Sequence, residues 1–258
     1  NNRPTAWVPT PLPRARAEMS TTKAYKVLEH QAVTDSVFRE VSKAQVVFKS
    51  LRPITPSQIQ DKHLYLPIRN LVKMKSSGVV NSRLAVDGSR QPPDSYNGID
   101  AGTSSTDRLL CLTSAVIADA NHRRVPFQIV GCDIPAAFLH QDLTPEDTNG
   151  YQYITRLPAN FPGELANQLN AIDKGHYGTK QGNNLFNKAN HKLLVDAGYS
   201  NTILAPHIYR KTCPDNPKNY LFVNWHVNDG AILSTSRTLL AELKKLLIAK
   251  YGYSKEFP

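Results

Sequence analysis

The stretch Phe127-Gln128-Ile129-Val130-Gly131-Cys132-Asp133, continued by Ile134-Pro135-Ala136-Ala137-Phe138-Leu139, decides how this chain is read. A short apolar run that ends on a carboxylate predicts a strand over 127–132 that carries Asp133 at its end. A second run has the same form: Tyr220-Leu221-Phe222-Val223 leads into His226-Val227-Asn228-Asp229, and 231–233 leaves it. Isolated carboxylates are ordinarily solvated loop residues. Two acids at strand ends therefore need further signals before they define a site.

Those signals come from either side. Residues 104–121 have helical spacing ahead of the first strand, with Thr103 or Ser104 as N-cap and Asp107 in the opening turns. Residues 184–197 read as a helix closing at Gly198, and Ile208-Tyr209-Arg210 opens a hairpin that turns over 213–219 and returns along 220–223. A last helix is predicted over 237–251. Nearer the N-terminus, Val27, Leu28, Val33, Val37, Phe38, Val41 and Val47 suit short amphipathic helices that stop at Pro53 and Pro56. Residues 63–74 alternate apolar and polar, Ser76-Ser77-Gly78 supplies a turn, and 79–86 resumes a strand pattern, which predicts a hairpin with Lys73, Lys75, Arg83 and Arg90 clustered about it. Residues 151–161 are strand-like, while 91–102 and 141–150 are turn-rich. Asp100, Asp107 and Asp142 sit in polar surroundings and read as caps or loop residues. No internal repeat is present.

The chain of 258 residues is 40% hydrophobic, enough for one large domain or two small ones. Lys and Arg outnumber Asp and Glu by 31 to 21, and a net charge of +10 raises the local concentration of polyanions, so nucleic acid heads the expected partners. Cys111, Cys132 and Cys213 are odd in number and lack a C-x-x-C pair, which argues against a disulfide framework or zinc and for a reduced, intracellular setting. His207, His226 and Cys213 flank one hairpin, but their spacing matches no structural zinc pattern. No stretch is apolar for long enough to span a membrane, and 1–20 has no apolar leader core, so a soluble protein is expected. Residues 1–22 read as a Pro/Arg-rich tail or linker.

Cys132-Asp133-Ile134-Pro135-Ala136-Ala137-Phe138-Leu139 resembles the copia-type retrotransposon reverse transcriptase signature D-[IV]-x-x-A-F-L. Further blocks follow in that family's order. Asn81-Ser82-Arg83-Leu84-Ala85-Val86 with Gly88 is similar to K-A-R-L-V-x-x-G, Tyr177-Gly178-Thr179-Lys180-Gln181 to L-Y-G-L-K-Q, and Ala205-Pro206-His207-Ile208-Tyr209 to D-x-x-L-Y. The tetrad His226-Val227-Asn228-Asp229 stands where the family has Y-V-D-D. The likeness runs over about 64–251.

The resemblance implies an α+β fold of reverse-transcriptase palm and fingers. An antiparallel palm sheet would be backed by helices over about 104–258, with a fingers hairpin over about 63–90 inside a folded region 23–258. By family comparison, thumb and RNase H are expected to be absent. It also implies template-directed nucleotidyl transfer on an RNA or DNA template-primer, assisted by two Mg²⁺ ions that aspartates hold. Carried over, the catalytic positions are Asp133, Asn228 and Asp229, of which Asp133 and Asp229 would bind metal. Arg83 would contact the triphosphate, Ala136, Ala137 and Phe138 would line the nucleotide site, and Gln181 would lie beside the sugar. Phe138 at that spacing equally suits a core.

Asn228 takes the bridging carboxylate's place. It is neutral and one of its two terminal atoms is an NH₂ donor that cannot bind a cation. Asn81 replaces a family lysine, and Gly182-Asn183-Asn184-Leu185-Phe186 replaces A-P-R-x-W. The expectation is a nucleic-acid-binding domain whose polymerase activity, with Mg²⁺, is weak or lost. Two rivals stand beside it: a domesticated fold acting as an interaction module among protein or RNA partners in a larger assembly, and an active polymerase using Asp133 and Asp229.

Overall fold

The computed structural model describes residues 18–98 and 104–252, and the backbone of 255–257. Residues 1–17 of the expected tail, together with Asp100 and Thr103, lie outside the described residues. The architecture is mixed α+β, with three sheets in which every ladder but one is antiparallel and with five α-helices among the described residues. The chain divides into two compact units: residues 1–92 with 150–179, and residues 93–149 with 180–258.

In the first unit, helix His30–Ser42 places Val33, Val37 and Val41 four residues apart, so one face is apolar, and all three are buried. That face packs on strand Val80–Val86, where Ser36 Oγ donates to Ser82 Oγ at 3.0 Å and Leu84 N donates to Glu40 Oε1 at 3.3 Å. Val80–Val86 pairs antiparallel with Ile68–Met74 across a turn that uses Gly78 at φ +80°. The left-handed backbone there suits glycine. The tail ends sooner than expected. Met19–Ser20 already forms a strand on Ile68–Met74, Ser20 caps helix Thr21–Val27, and buried Thr21 accepts from Asn70 Nδ2 at 3.0 Å.

The predicted 63–74 arm of the hairpin is also too long. His63–Tyr65 leaves it to pair parallel with Gln152–Arg156 in a second sheet, which continues through Leu169–Ile172 to Leu51–Pro53. Pro67 separates the two segments, and proline cannot donate to a ladder. Leu169–Ile172 escapes sequence reading because it has only four residues, one of them Asn170. All four are buried, and Gln45 Nε2 satisfies the Asn170 side chain at 2.8 Å.

His176 is buried in this unit, and loss of hydration pushes its pKa down to about 4, with the Lys43 charge acting the same way and the Leu84 backbone opposing. The unfolded chain then binds more protons than the folded one between the usual histidine range and about pH 4. Stability is complete above about pH 6.5 and falls on acidification, by about 3 kcal/mol at pH 4. Urea midpoints measured between pH 7 and 4 should fall steeply for the wild type and flatten in His176→Leu. Equal slopes would refute the assignment.

The second unit is built on a six-stranded antiparallel sheet ordered Lys255–Phe257, Gln128–Asp133, Asp229–Ser234, Tyr220–His226, Ala205–Thr212 and Ser200–Thr202. Helix Arg237–Tyr251 buries Leu239, Leu243, Leu247 and Tyr251, again four apart, and Ser236 caps it by accepting from Leu239 N. Helix Gly182–Asp196 closes at Gly198, φ +83°, as its sequence predicts. Both helices join the sheet in one core around Phe186, Leu221, Val223 and Trp225. Helix Thr106–Arg123 starts later than expected: its cap is Ser105, which accepts from Arg108 N at 3.3 Å, rather than Ser104. No helix of the described residues is long and apolar enough to cross a membrane.

Candidate functional site

The acidic residues meet because of register. Asp229–Ser234 pairs with Gln128–Asp133 so that Asp229 stands opposite Asp133, and with Tyr220–His226 so that Asp229 also stands opposite His226. Val227 and Asn228 form the two-residue turn of that hairpin. A β-branched residue rarely accepts φ > 0, yet Val227 sits at φ +58°. Such a turn is held by its surroundings, and here Ile134 N donates to the Asn228 carbonyl at 3.0 Å, fastening the turn to the residue after Asp133.

The Asn228 side chain points its amide at the first carboxylate: Nδ2 donates to Asp133 Oδ1 at 2.6 Å. An ionised carboxylate only accepts, so the NH₂ end must face it. The Asp229 carboxyl is raised above its usual range, first by partial burial and then by the charge of Asp133, with His226 opposing. His226 Nδ1 lies 3.1 Å from the Ser104 carbonyl, which can only accept, so Nδ1 carries the proton. The turn is thus tied to both Asp133 and the segment before helix Thr106–Arg123.

Beneath it, Gly230 leaves room for the indole of Trp225, its cross-strand partner. A Cβ on Gly230 would stand 2.7 Å from Trp225 Cζ3, and that ring is 2% exposed. Gly230→Ala should therefore displace a packed core side chain and cost about 1–3 kcal/mol. A chemical-denaturation midpoint equal to that of the wild type would count against this packing.

The remaining expected site residues divide between the units. In the second, Ala136 adopts φ 56° and the methyl groups of Ala136 and Ala137 are buried, leading into the turn Ala137–His140. Phe138 is half-buried and packs edge-on against Phe186, with centroids 6.4 Å apart, so its ring belongs to the rim of the core. Gln181 is fully buried at the start of helix Gly182–Asp196. Arg83 belongs to the first unit, where its guanidinium lies 4.8 Å from the centre of the Tyr177 ring.

Two sequence blocks that are far apart in the chain meet beside Arg83. Val86 N donates to the Tyr177 carbonyl at 2.7 Å, and Gly88 and Gly178 bring the two backbones together. A cavity of about 300 Å³ there is lined by Lys73, Lys75 and Arg83, as the clustering of basic residues anticipated. Arg90 instead faces Asp87 at 3.8 Å. Glu40, on helix His30–Ser42, and Lys43, just after it, also line this cavity, and sequence reading missed them because the apolar stripe of that stretch was the visible signal.

Among the described residues no group of three or more His, Cys, Asp or Glu side chains is arranged to hold a metal ion. Asp133 and Asp229 offer two carboxylates, and the position between them in the constellation presents an amide donor to one of them. These residues do not fit a two-ion centre that needs a bridging carboxylate. Compared with models of known protein families, the chain matches none, and no curated protein matches it.

Proposed function

We propose that this chain is a divergent reverse-transcriptase-like palm and fingers that binds nucleic acid and has weak or lost RNA-directed DNA polymerase activity. The observation that carries this reading is the 2.6 Å hydrogen bond from Asn228 to Asp133. The residue positions that resemble a polymerase centre come together in space, but they are joined to one another by a donor–acceptor contact. A cation entering would have to displace that amide and would gain only two acidic ligands.

The register that brings Asp133 opposite Asp229 supports the palm reading, since it places two of the family-like blocks at adjacent strand ends. In the first unit the contact between the Asn81–Gly88 and Tyr177–Gln181 blocks supports the fingers reading. A net charge of +10 supports a polyanionic partner.

Two measurements test the proposal. Extension of a labelled primer on RNA and DNA templates with Mg²⁺ should give no product above background, and robust extension would overturn the reading in favour of an active enzyme. Binding to the same primer-template should weaken steeply with added salt, because Lys and Arg contacts to phosphates release counterions. Absent or salt-insensitive binding would move the assignment to an interaction module.

A further inference from the structure

Strand Tyr220–His226 sends Leu221, Val223 and Trp225 into the core shared with helices Gly182–Asp196 and Arg237–Tyr251, so Tyr220 and Phe222 fall on the opposite face of the sheet. There they join a smaller cluster with Leu233 and with Val116 of helix Thr106–Arg123. Arg210, the cross-strand partner of Phe222, lies on that same face. Its guanidinium carbon stands 5.9 Å from the centre of the Phe222 ring and 6.0 Å from that of Tyr220. Tyr220 and His226 are at opposite ends of their strand, about 20 Å apart, so this cluster sits at the end of the sheet away from the tetrad.

Two arginines share the Tyr220 ring, and their circumstances differ. Arg123, 5.4 Å from the ring centre, is satisfied within the fold: it pairs with Asp119 at 2.7 Å, and its Nη1 donates to the Lys218 carbonyl at 2.5 Å. Asp119 also accepts from the Tyr220 hydroxyl, which fixes the ring. Arg210 is exposed, and its side chain has no ion-pair partner among the described residues. Its planar group is therefore held on two rings while its charge stays uncompensated. Lys218 and Arg124 adjoin Arg123 through the carbonyl contact and the chain, both are exposed, and they outnumber Asp215, the one acid of the hairpin turn.

A fixed, exposed guanidinium plane with neighbouring cations matches the chemistry of an unpaired nucleotide, whose base stacks on the plane and whose phosphate accepts from the N–H groups. In a duplex the bases stack on one another, so only a single strand offers a free π-face. An acidic polypeptide would answer the charge but not the plane. We propose that this end of the sheet binds single-stranded nucleic acid, with a base stacked on Arg210. The proposal rests on the reading that the chain binds nucleic acid, and it adds a site remote from Asp133 and Asp229.

The test measures fluorescence anisotropy of a labelled, mixed-sequence RNA single strand titrated with the full chain. Arg210→Lys keeps the charge and loses the plane, and it should weaken binding at least about fivefold. An abasic strand of the same length should bind the wild type more weakly and should not distinguish it from Arg210→Lys. Lys218→Ala should weaken both strands alike, as a phosphate contact does. Arg210 is exposed, so its variant should fold, and an unchanged melting temperature checks that. Equal affinity of wild type and Arg210→Lys for the base-bearing strand would overturn the proposal and leave nucleic-acid binding standing. An abasic strand or polyglutamate bound as tightly as the base-bearing strand would overturn it too, marking a general anion patch. Binding of no strand at all would remove both this site and the reading beneath it.

Discussion

Gly178→Ala should unfold or severely loosen the first unit, lowering stability by about 3–5 kcal/mol, whereas Gly78→Ala should cost only about 1 kcal/mol. Both glycines have a left-handed backbone, at φ +88° and +80°, so alanine strains both by a similar amount. Their surroundings differ. A Cβ on Gly78 meets nothing within 4 Å, while a Cβ on Gly178 would stand 2.0 Å from the Val86 carbonyl oxygen. That oxygen is backbone in a paired strand and cannot swing aside as a side chain would. Gly88 repeats the restriction from the other side, its Cβ position falling 2.0 Å from the Gly178 carbonyl. Thermal and urea denaturation of the two variants side by side measures the steric term alone. A Gly178→Ala protein as stable as Gly78→Ala would show that the two blocks do not approach as described.

The second large effect is a gain. Asn228→Asp combined with His226→Tyr should raise primer extension at least about 10²-fold over the wild-type background, the size expected when a missing electrostatic stabiliser is restored to an active site. The same change has a signature that needs no polymerisation. A carboxylate at residue 228 would face Asp133 where an amide now donates at 2.6 Å, so attraction becomes repulsion. Without divalent cations the variant should be less stable than the wild type, and added Mg²⁺ should stabilise the variant selectively, because a ligand that binds only the folded state raises its melting temperature. Mg²⁺-dependent stabilisation without extension would keep the metal geometry and sink the polymerase reading. Neither effect would sink both.

Much of this fold was legible one residue at a time. The strand ending at Asp133, helices Gly182–Asp196 and Arg237–Tyr251, and the hairpin that turns over 213–219 follow from apolar period, caps and glycine closures, all set by neighbours within a few residues. Legibility failed where a short segment takes its meaning from a distant partner. Leu169–Ile172 carries too few residues to show a period and is a strand through its pairing with Gln152–Arg156 and Leu51–Pro53, while His63–Tyr65, expected in an arm of the hairpin, pairs instead with Gln152–Arg156. Ser105 rather than Ser104 caps its helix, a one-residue choice that local composition leaves open.

The acidic tetrad divides the same way. By its residue types alone, the sequence determined that a neutral side chain stands at position 228, where the resemblance expects a carboxylate, since chemistry at a position needs no fold to be read. Only the tertiary structure decided what the amide does. Strand register across residues far apart sets Asp229 opposite Asp133, and a turn strained at Val227 turns the Asn228 donor onto the Asp133 carboxylate. A hydrogen bond depends on a few tenths of an ångström between groups that are 95 residues apart in the chain, and that distance is a property of packing, which no local pattern encodes.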